Sequence, residues 1–104
     1  MLVIIWEYQV KAQHAAEFEE LYSASGTWAA LFKGSAGYQG TELLRDANDA
    51  RLYMTIDRWD SPEHYERFLS QWKSEYEALD AQSEGLTEKE FLAGKWESIS
   101  LKTR

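Results

Sequence analysis

Cysteine is absent from the 104 residues of this chain, and its absence removes several kinds of chemistry. Without thiols the chain has no disulfide framework, no thiolate nucleophile and no cysteine-bound zinc or iron–sulfur centre. A small fold that does without disulfides is typical of a reducing compartment. We therefore predict a cytoplasmic protein.

Long hydrophobic runs and clusters of metal ligands are also missing. The apolar run at residues 2–6 is far shorter than the roughly 20 residues that cross a bilayer, and it has no basic flank or small-residue cleavage site. We expect neither a signal peptide nor a membrane partner. His14 and His64 are distant in the sequence and both lie near predicted helix starts, so we expect them to face solvent and predict no metal site.

Basic residues are scarce relative to acidic ones. Eleven Lys and Arg stand against 18 Asp and Glu, which gives a formal net charge of −7. A negative field of this kind repels phosphate backbones and anionic lipid. We therefore expect no nucleic-acid partner.

Aromatic side chains, in contrast, are abundant. The chain has five Trp, six Tyr and four Phe within a length that fits one domain, residues 1–104. Each aromatic side chain buries a large apolar area. They therefore either build an aromatic core or line a pocket, and the sequence leaves both possibilities open.

Hydrophobic periodicity predicts the secondary structure. A period of two predicts strands over residues 2–11, 38–46, 51–59 and 95–101. Spacings of three and four predict helices over residues 14–25, 28–34 and 61–85. Ser61-Pro62-Glu63 is typical of a helix N-terminus. Thr87-Glu88-Lys89-Glu90 has the form of a capping box, which predicts a short helix that ends at Gly94.

The main elements follow the order strand, helix, strand, strand, helix, strand. This order predicts an α+β fold of the ferredoxin-like, split β-α-β-β-α-β kind. Residues 47–50 supply the turn chemistry of a hairpin between the second and third strands. We expect a four-stranded antiparallel sheet with the helices on one face.

Apolar side chains occupy both faces of the first and third strands, although the helices cover only one. A contiguous uncovered apolar face indicates an interaction surface, and an identical sheet is its simplest partner. We predict a homodimer through the face that bears Val3, Ile5, Leu52, Met54 and Ile56. The opposite face, with Trp6, Tyr8, Asp57 and Trp59, is the predicted pocket wall.

RNA-recognition domains share this order of elements. Their third strand carries a basic residue, a glycine and two aromatic residues in a fixed pattern. Residues 51–55, RLYMT, lack the glycine and the second aromatic residue. The sequence therefore does not indicate such a domain.

Several segments resemble the antibiotic biosynthesis monooxygenase family of the dimeric α/β-barrel superfamily. The matching segments are WEY at 6–8, GTWAALF at 26–32, GYQGTELLRD at 37–46, YMTIDRWDS at 53–61 and EYEALD at 75–80. The resemblance implies a homodimer that binds a small, flat aromatic ligand between sheet and helices. It also implies monooxygenase chemistry without metal or flavin, in which the protein deprotonates a phenol or enol and excludes water.

Haem-degrading relatives offer one specific comparison. These relatives share an Asn in the first strand, a Trp at the end of the third strand and a His in the second helix that binds the haem iron. Trp59 matches the Trp, but Trp6 lies near the Asn position and Tyr76 near that of the His. Two of the three parts are missing, so the resemblance does not extend to haem degradation.

The resemblance and the face assignments together predict the site. Trp59 and Asp57 are the predicted catalytic residues. The predicted ligand-binding residues are Trp6, Tyr8, Trp28, Phe32, Trp72 and Tyr76. Structural roles remain open for both catalytic candidates: Trp59 as a core residue whose indole N–H bonds a carbonyl, and Asp57 as the partner of Arg45 or Arg51.

Three functions stay in competition at this point. The first is a cofactor-free monooxygenase that acts on a phenolic or quinol-type compound. The second is a non-catalytic ligand-binding or stress-associated protein with the same aromatic pocket. The third is a structural dimer whose aromatic residues are all core, and a cavity between sheet and helices would argue against it.

Overall fold

The computed structural model describes residues 1–99. One antiparallel sheet contains four strands, in the spatial order β2-β3-β1-β4. The strands are β1 (Leu2–Val10), β2 (Tyr38–Arg45), β3 (Leu52–Trp59) and β4 (Thr87–Glu97). The helices are α1 (Ala15–Tyr22), α2 (Thr27–Phe32), α3 (Pro62–Gln71) and α4 (Lys73–Ser83), with 3₁₀ turns at Ala12–His14 and Glu84–Leu86. The predicted ferredoxin-like α+β fold is confirmed.

Strand β1 lies in the middle of the sheet, and its two faces differ as the alternation predicted. Ile4, Tyr8 and Val10 are buried in the core that the helices share, while Val3 and Ile5 remain partly exposed on the other face. We call the helix-covered side the inner face and the other the outer face. The inner face belongs to the core and carries the site described below.

Aromatic rings make up most of the core. Phe18 of α1 stacks on Tyr22 with 4.2 Å between ring centroids, and Trp59 packs edge-on against Phe32 at 5.7 Å. Trp59, Phe18 and Phe68 have no exposed surface. Such pairs add roughly 0.5–1.5 kcal/mol beyond the apolar area that they bury. They fix where the walls of the site stand.

The link between α1 and α2 depends on a glycine. Gly26 lies so close to the end of α1 that a Cβ atom there would sit 2.5 Å from the carbonyl oxygen of Glu20. Any larger residue would push the two helices apart. The predicted break at Ser25-Gly26 and the short second helix are confirmed, although α1 itself ends earlier, at Tyr22.

The helix predicted over residues 61–85 is divided in two. Ser61 caps its start by accepting a hydrogen bond from the His64 backbone N–H at 3.2 Å. At Trp72 the backbone leaves helical geometry, with φ −116° and ψ 29°, and α4 begins at the next residue. The indole of Trp72 packs against Gly34 after α2. A continuous apolar period did not reveal this break because both halves bury the same side.

The prediction for residues 87–94 is wrong. Thr87 does not cap a helix but begins β4, which pairs with β1 from Val10 back to Leu2. A capping box stabilises a helix by about 1 kcal/mol, whereas an unpaired β1 edge would leave a row of backbone groups without partners. The strand predicted over residues 95–101 therefore starts earlier and ends at Glu97. Its last two predicted residues lie outside the described part of the chain.

Candidate functional site

A cavity opens between the inner face of the sheet and the helices. Its volume is about 60 Å³, and it is partly open to solvent. A cavity needs roughly 10–15 Å³ to hold one water, so this space exceeds that of a single water several times. Its lining residues are Ile4, Trp6, Tyr8, Tyr22, Trp28, Phe32, Thr41, Thr55, Asp57, Tyr65, Tyr76, Asp80 and Glu90.

The sheet supplies a wall of polar groups set among aromatic rings. Tyr8 of β1 and Thr55 of β3 are both buried, and their hydroxyl oxygens lie 2.9 Å apart. Burial raises the pKa of Tyr8 well above its usual value, so its phenol stays protonated. This pair can therefore offer a fixed hydroxyl hydrogen bond to a ligand but no anionic oxygen.

Asp57 lies further along the same wall, where it accepts a hydrogen bond from the Thr41 hydroxyl at 2.5 Å. Tyr38 extends this series of hydrogen bonds, with its hydroxyl oxygen 2.6 Å from that of Thr41. Loss of solvation by burial raises the pKa of Asp57 to about 6, and the bond from Thr41 opposes that rise. A carboxyl group with this pKa suits proton transfer near neutral pH.

A bulge sets the partner of Asp57. Strand β2 pairs Tyr38 with Trp59 but then skips a residue, so that Thr41 rather than Gly40 lies opposite Asp57. Gly40 has φ +125°, a conformation that side-chain-bearing residues rarely adopt. The hydroxyl therefore reaches the carboxylate through an irregularity in the strand.

Arginine does not neutralise Asp57, so the ion pair considered as its structural role is wrong. Arg45 lies 3.6 Å from Glu19, and Arg51 lies 3.5 Å from Asp49. Both pairs are at the hairpin end of the sheet. The Asp57 carboxylate is held instead by a neutral hydroxyl, which leaves its negative charge uncompensated.

The helices supply the opposite wall, which is almost wholly aromatic. Trp28 of α2 packs edge-on against Tyr76 of α4 with 5.0 Å between centroids, and its indole N–H donates to Ser83 at 3.3 Å. Burial raises the pKa of Tyr22 to about 12 and raises that of Tyr76 as well. These phenols are neutral at physiological pH, so this wall carries hydroxyl groups and ring faces.

Two carboxylates lie at the mouth. Asp80 of α4 and Glu90 of β4 line the cavity, and both residues are exposed. Partial desolvation raises the pKa of Glu90, and the neighbouring charges of Asp80 and Glu84 raise it further. No lysine, arginine or histidine is among the lining residues of the described chain. The mouth is therefore negatively charged.

The cavity collects most of the predicted site residues. Asp57, Trp6, Tyr8, Trp28, Phe32 and Tyr76 all line it. Their functional roles stay predictions.

Trp59 and Trp72 do not line the cavity. Trp59 is fully buried behind it, ringed by Phe32, Tyr38, Tyr65 and Phe68. It is the core residue that the structural alternative described, but its indole N–H has no hydrogen-bond partner within residues 1–99, so the expected carbonyl bond is wrong. A direct catalytic role for Trp59 stays a prediction.

Sequence reasoning missed several lining residues. Thr41, Thr55, Tyr65 and Glu90 had not been singled out for the site. Thr55 shares a strand face with Asp57, so the alternation of side chains along β3 was enough to predict its place in the wall. Glu90 could not be found, because residues 87–94 had been predicted as a helix.

Two further findings concern residues 1–99. No group of three or more His, Asp or Glu side chains there is arranged to hold a metal ion. Within the same range, no helix has both the length and the apolar character needed to cross a membrane.

Fold and cavity together define a class of protein: a ferredoxin-like domain with a cavity between sheet and helices that is lined largely by aromatic side chains. The sequence narrows the class, because residues 1–82 match the profile of the antibiotic biosynthesis monooxygenase family. The chain belongs to that family.

Solved structures agree with this assignment at the level of the fold. A mutant of SnoaB, a cofactor-independent oxygenase from Streptomyces nogalater, superposes with a TM-score of 0.80 at 20% identity, covering 96% of this chain and 94% of that one. A candidate antibiotic biosynthesis monooxygenase from Deinococcus radiodurans gives 0.76 at 16% identity, covering 100% and 98%. Another from Nitrosomonas europaea gives 0.76 at 13%, covering 96% and 100%. No curated protein matches the sequence.

Proposed function

We propose that this protein is a monooxygenase that oxidises a small phenolic or quinol-type compound without a metal or flavin. The observation that carries the proposal is the position of Asp57, a carboxylate without a cationic partner in an aromatic cavity. Family membership supports the reaction type, and SnoaB, which shares the fold, is itself described as a cofactor-independent oxygenase.

Asp57 is the proposed general base. A phenol with a pKa near 10 is a far weaker acid than an ordinary aspartic acid, so complete proton transfer to that group would cost roughly 8 kcal/mol. Because burial raises the pKa of Asp57 to about 6, the cost falls by roughly 3 kcal/mol. Quinols and enols that are more acidic than simple phenols lower it further. The substrate anion then supplies the electrons to dioxygen, of which one oxygen atom enters the ring and the other leaves as water, so that a hydroquinone becomes a hydroxyquinone.

The remaining lining residues position the substrate. Trp6, Trp28, Phe32 and Tyr76 present ring faces and edges to a flat ligand. The buried Tyr8–Thr55 pair offers a hydrogen bond to an oxygen of the ligand. The small enclosed volume favours a compound of one ring over a large polycyclic one. Trp59 packs behind this wall and acts, in this proposal, by holding Phe32.

A second copy of the chain is the proposed partner of the outer face. Leu52 is 38% exposed, Phe91 53% and Trp96 60%, and all three lie on this face. Leu52 is one of the predicted contact residues, together with Val3, Ile5, Met54 and Ile56. At about 25 cal/mol per Å² of apolar surface, covering them stabilises a dimer by several kcal/mol before association entropy is counted. The cavity lies on the opposite face, so each subunit keeps its own site.

Oxygen uptake with a panel of substituted hydroquinones tests the enzymatic proposal. We expect turnover by the wild type and a fall of about 10²-fold or more in Asp57→Asn, because the base is lost. Trp59→Phe should fall by less, since Trp59 does not reach the cavity. Glu77→Gln, on the exposed side of α4, is the matched control and should retain full activity.

Two outcomes would contradict the proposal. One is an Asp57→Asn variant that is folded and as active as the wild type. The other is quenching of tryptophan fluorescence by the hydroquinones without any oxygen uptake, which would instead favour the non-catalytic ligand-binding protein.

A further inference from the structure

The charged side chains of the cavity are all of one sign. Three carboxylates line it: Asp57 on the sheet wall, and Asp80 and Glu90 at the mouth. The other lining residues are neutral, and seven of them are Trp, Tyr or Phe. A ligand in the cavity therefore lies in the combined field of these three carboxylates.

One ammonium group lies near this set. The Nζ atom of Lys95 is 5.4 Å from the centroid of the Tyr65 ring, which itself lines the cavity. Lys95 is not a lining residue, and it forms no ion pair with Asp57, Asp80 or Glu90. It offsets part of the negative field, but a net excess of negative charge remains at the mouth.

Aromatic faces and carboxylates together favour cations. An aromatic ring attracts a cation through its negative face, and a ring of such faces is the usual means of binding organic ammonium groups. A carboxylate adds attraction that weakens slowly with distance in a partly desolvated cavity. A ligand carboxylate meets repulsion from the same groups and finds no Lys, Arg or His lining the described cavity to pair with.

We propose that the cavity selects its ligands by charge: it takes phenols that are neutral or carry an ammonium group and rejects those that carry a carboxylate. The inference rests on the proposed function, because it names the substrate class of that site. It assigns Asp80 and Glu90 as specificity-determining residues and leaves the chemistry to Asp57.

Three phenols that differ mainly in charge test this inference. Tyramine carries an ammonium group on a two-carbon arm, para-hydroxyphenylpropionate carries a carboxylate, and para-ethylphenol carries no charge. Binding is followed under nitrogen by quenching of tryptophan fluorescence, since Trp6 and Trp28 line the cavity. We expect tyramine to bind about tenfold more tightly than the propionate at low salt, with para-ethylphenol between them. Raising the salt concentration should narrow the difference.

A double variant locates the selectivity. In Asp80→Asn/Glu90→Gln the propionate should bind about fivefold more tightly and tyramine more weakly, because the charges at the mouth are gone. The affinity for para-ethylphenol should change by less than about twofold, which shows that the cavity is intact. Glu75→Gln/Glu77→Gln changes the net charge equally on exposed positions of α4, and it should keep the wild-type order.

The inference is overturned if the propionate binds the wild type as tightly as tyramine does, if the double variant keeps the full difference, or if none of the three phenols binds. The charge selection and the proposed function can each fail without the other. Binding in the expected order without oxygen uptake would sustain the charge selection and remove the monooxygenase. Oxygen uptake by a protein that binds the propionate as tightly as tyramine would support the monooxygenase and remove the charge selection.

Discussion

Replacing Asp57 by Asn should stabilise the protein at neutral pH, and the gain should depend on pH in a defined way. Burial raises the pKa of this carboxyl group from 3.8 to about 6, so ionised Asp57 costs folding free energy. A shift of roughly two pK units corresponds to about 3 kcal/mol. Asparagine has nearly the same shape and can still accept the bond from Thr41, so most of that penalty should disappear.

The direction of the pH dependence follows from where the proton is held. Below the unfolded-state pKa of about 4 the carboxyl is neutral in both states, and the variant should equal the wild type. Between that pH and about 6 the folded state keeps a proton that the unfolded state has lost, so wild-type stability falls as pH rises. Above about 6 the gain of the variant should be constant.

Urea denaturation across this pH range measures the effect. We expect Asp57→Asn to raise the free energy of unfolding by roughly 2–3 kcal/mol at pH about 7.5 and by nearly nothing at pH about 3. Glu77→Gln removes one exposed charge from the same acidic chain and controls for relief of general repulsion. A gain that is independent of pH, or a loss of stability at neutral pH, would refute the proposed state of this carboxyl group.

Three other variants probe different parts of the structure. Thr41→Val should raise the pKa of Asp57 by roughly one to two units, because a hydrogen bond to a charged group contributes about 1.5–3 kcal/mol. The acid limb of the pH–rate profile should then shift to higher pH, and Thr41→Ser should restore the wild-type profile. Ser61→Ala removes the cap of α3 and should lower stability to urea by about 1 kcal/mol, with wild-type stability counting against that role. Met54→Glu places a charge in the outer face and should shift sedimentation from dimer to monomer; a wild type already monomeric at micromolar concentration would contradict the dimer itself.

The fold was largely readable because its signals are local. Alternation in β1 and β3 separates Tyr8 and Asp57 from Ile5 and Met54 without any knowledge of neighbours. The first part of β4, residues 87–94, was missed for the opposite reason. Its hydrogen bonds go to β1, some eighty residues away along the chain, and nothing within residues 87–94 reports that partner.

For the site, the sequence predicts which face of the sheet each side chain occupies but not which side chains contact one another. Alternation places Asp57 on the helix side of the sheet, yet its hydrogen bond to Thr41 depends on the bulge near Gly40. A regular ladder would put Gly40 opposite Asp57 and leave the carboxylate without this donor. Trp59 shares that face, but it lies behind the cavity because four aromatic rings pack around it.

The β4 strand also has a consequence for how the protein avoids association along its edge. It forms one margin of the sheet, and its outward backbone groups have no strand beside them within the described residues. Charged side chains recur along it at Glu88, Lys89, Glu90, Lys95 and Glu97, and its register with β1 shifts between Ile5 and Trp6. Charges and a bulge are the features that keep a free edge from adding another strand. Deleting Ala93, which the shift leaves without a partner in β1, should straighten that margin and increase the concentration-dependent association that light scattering measures.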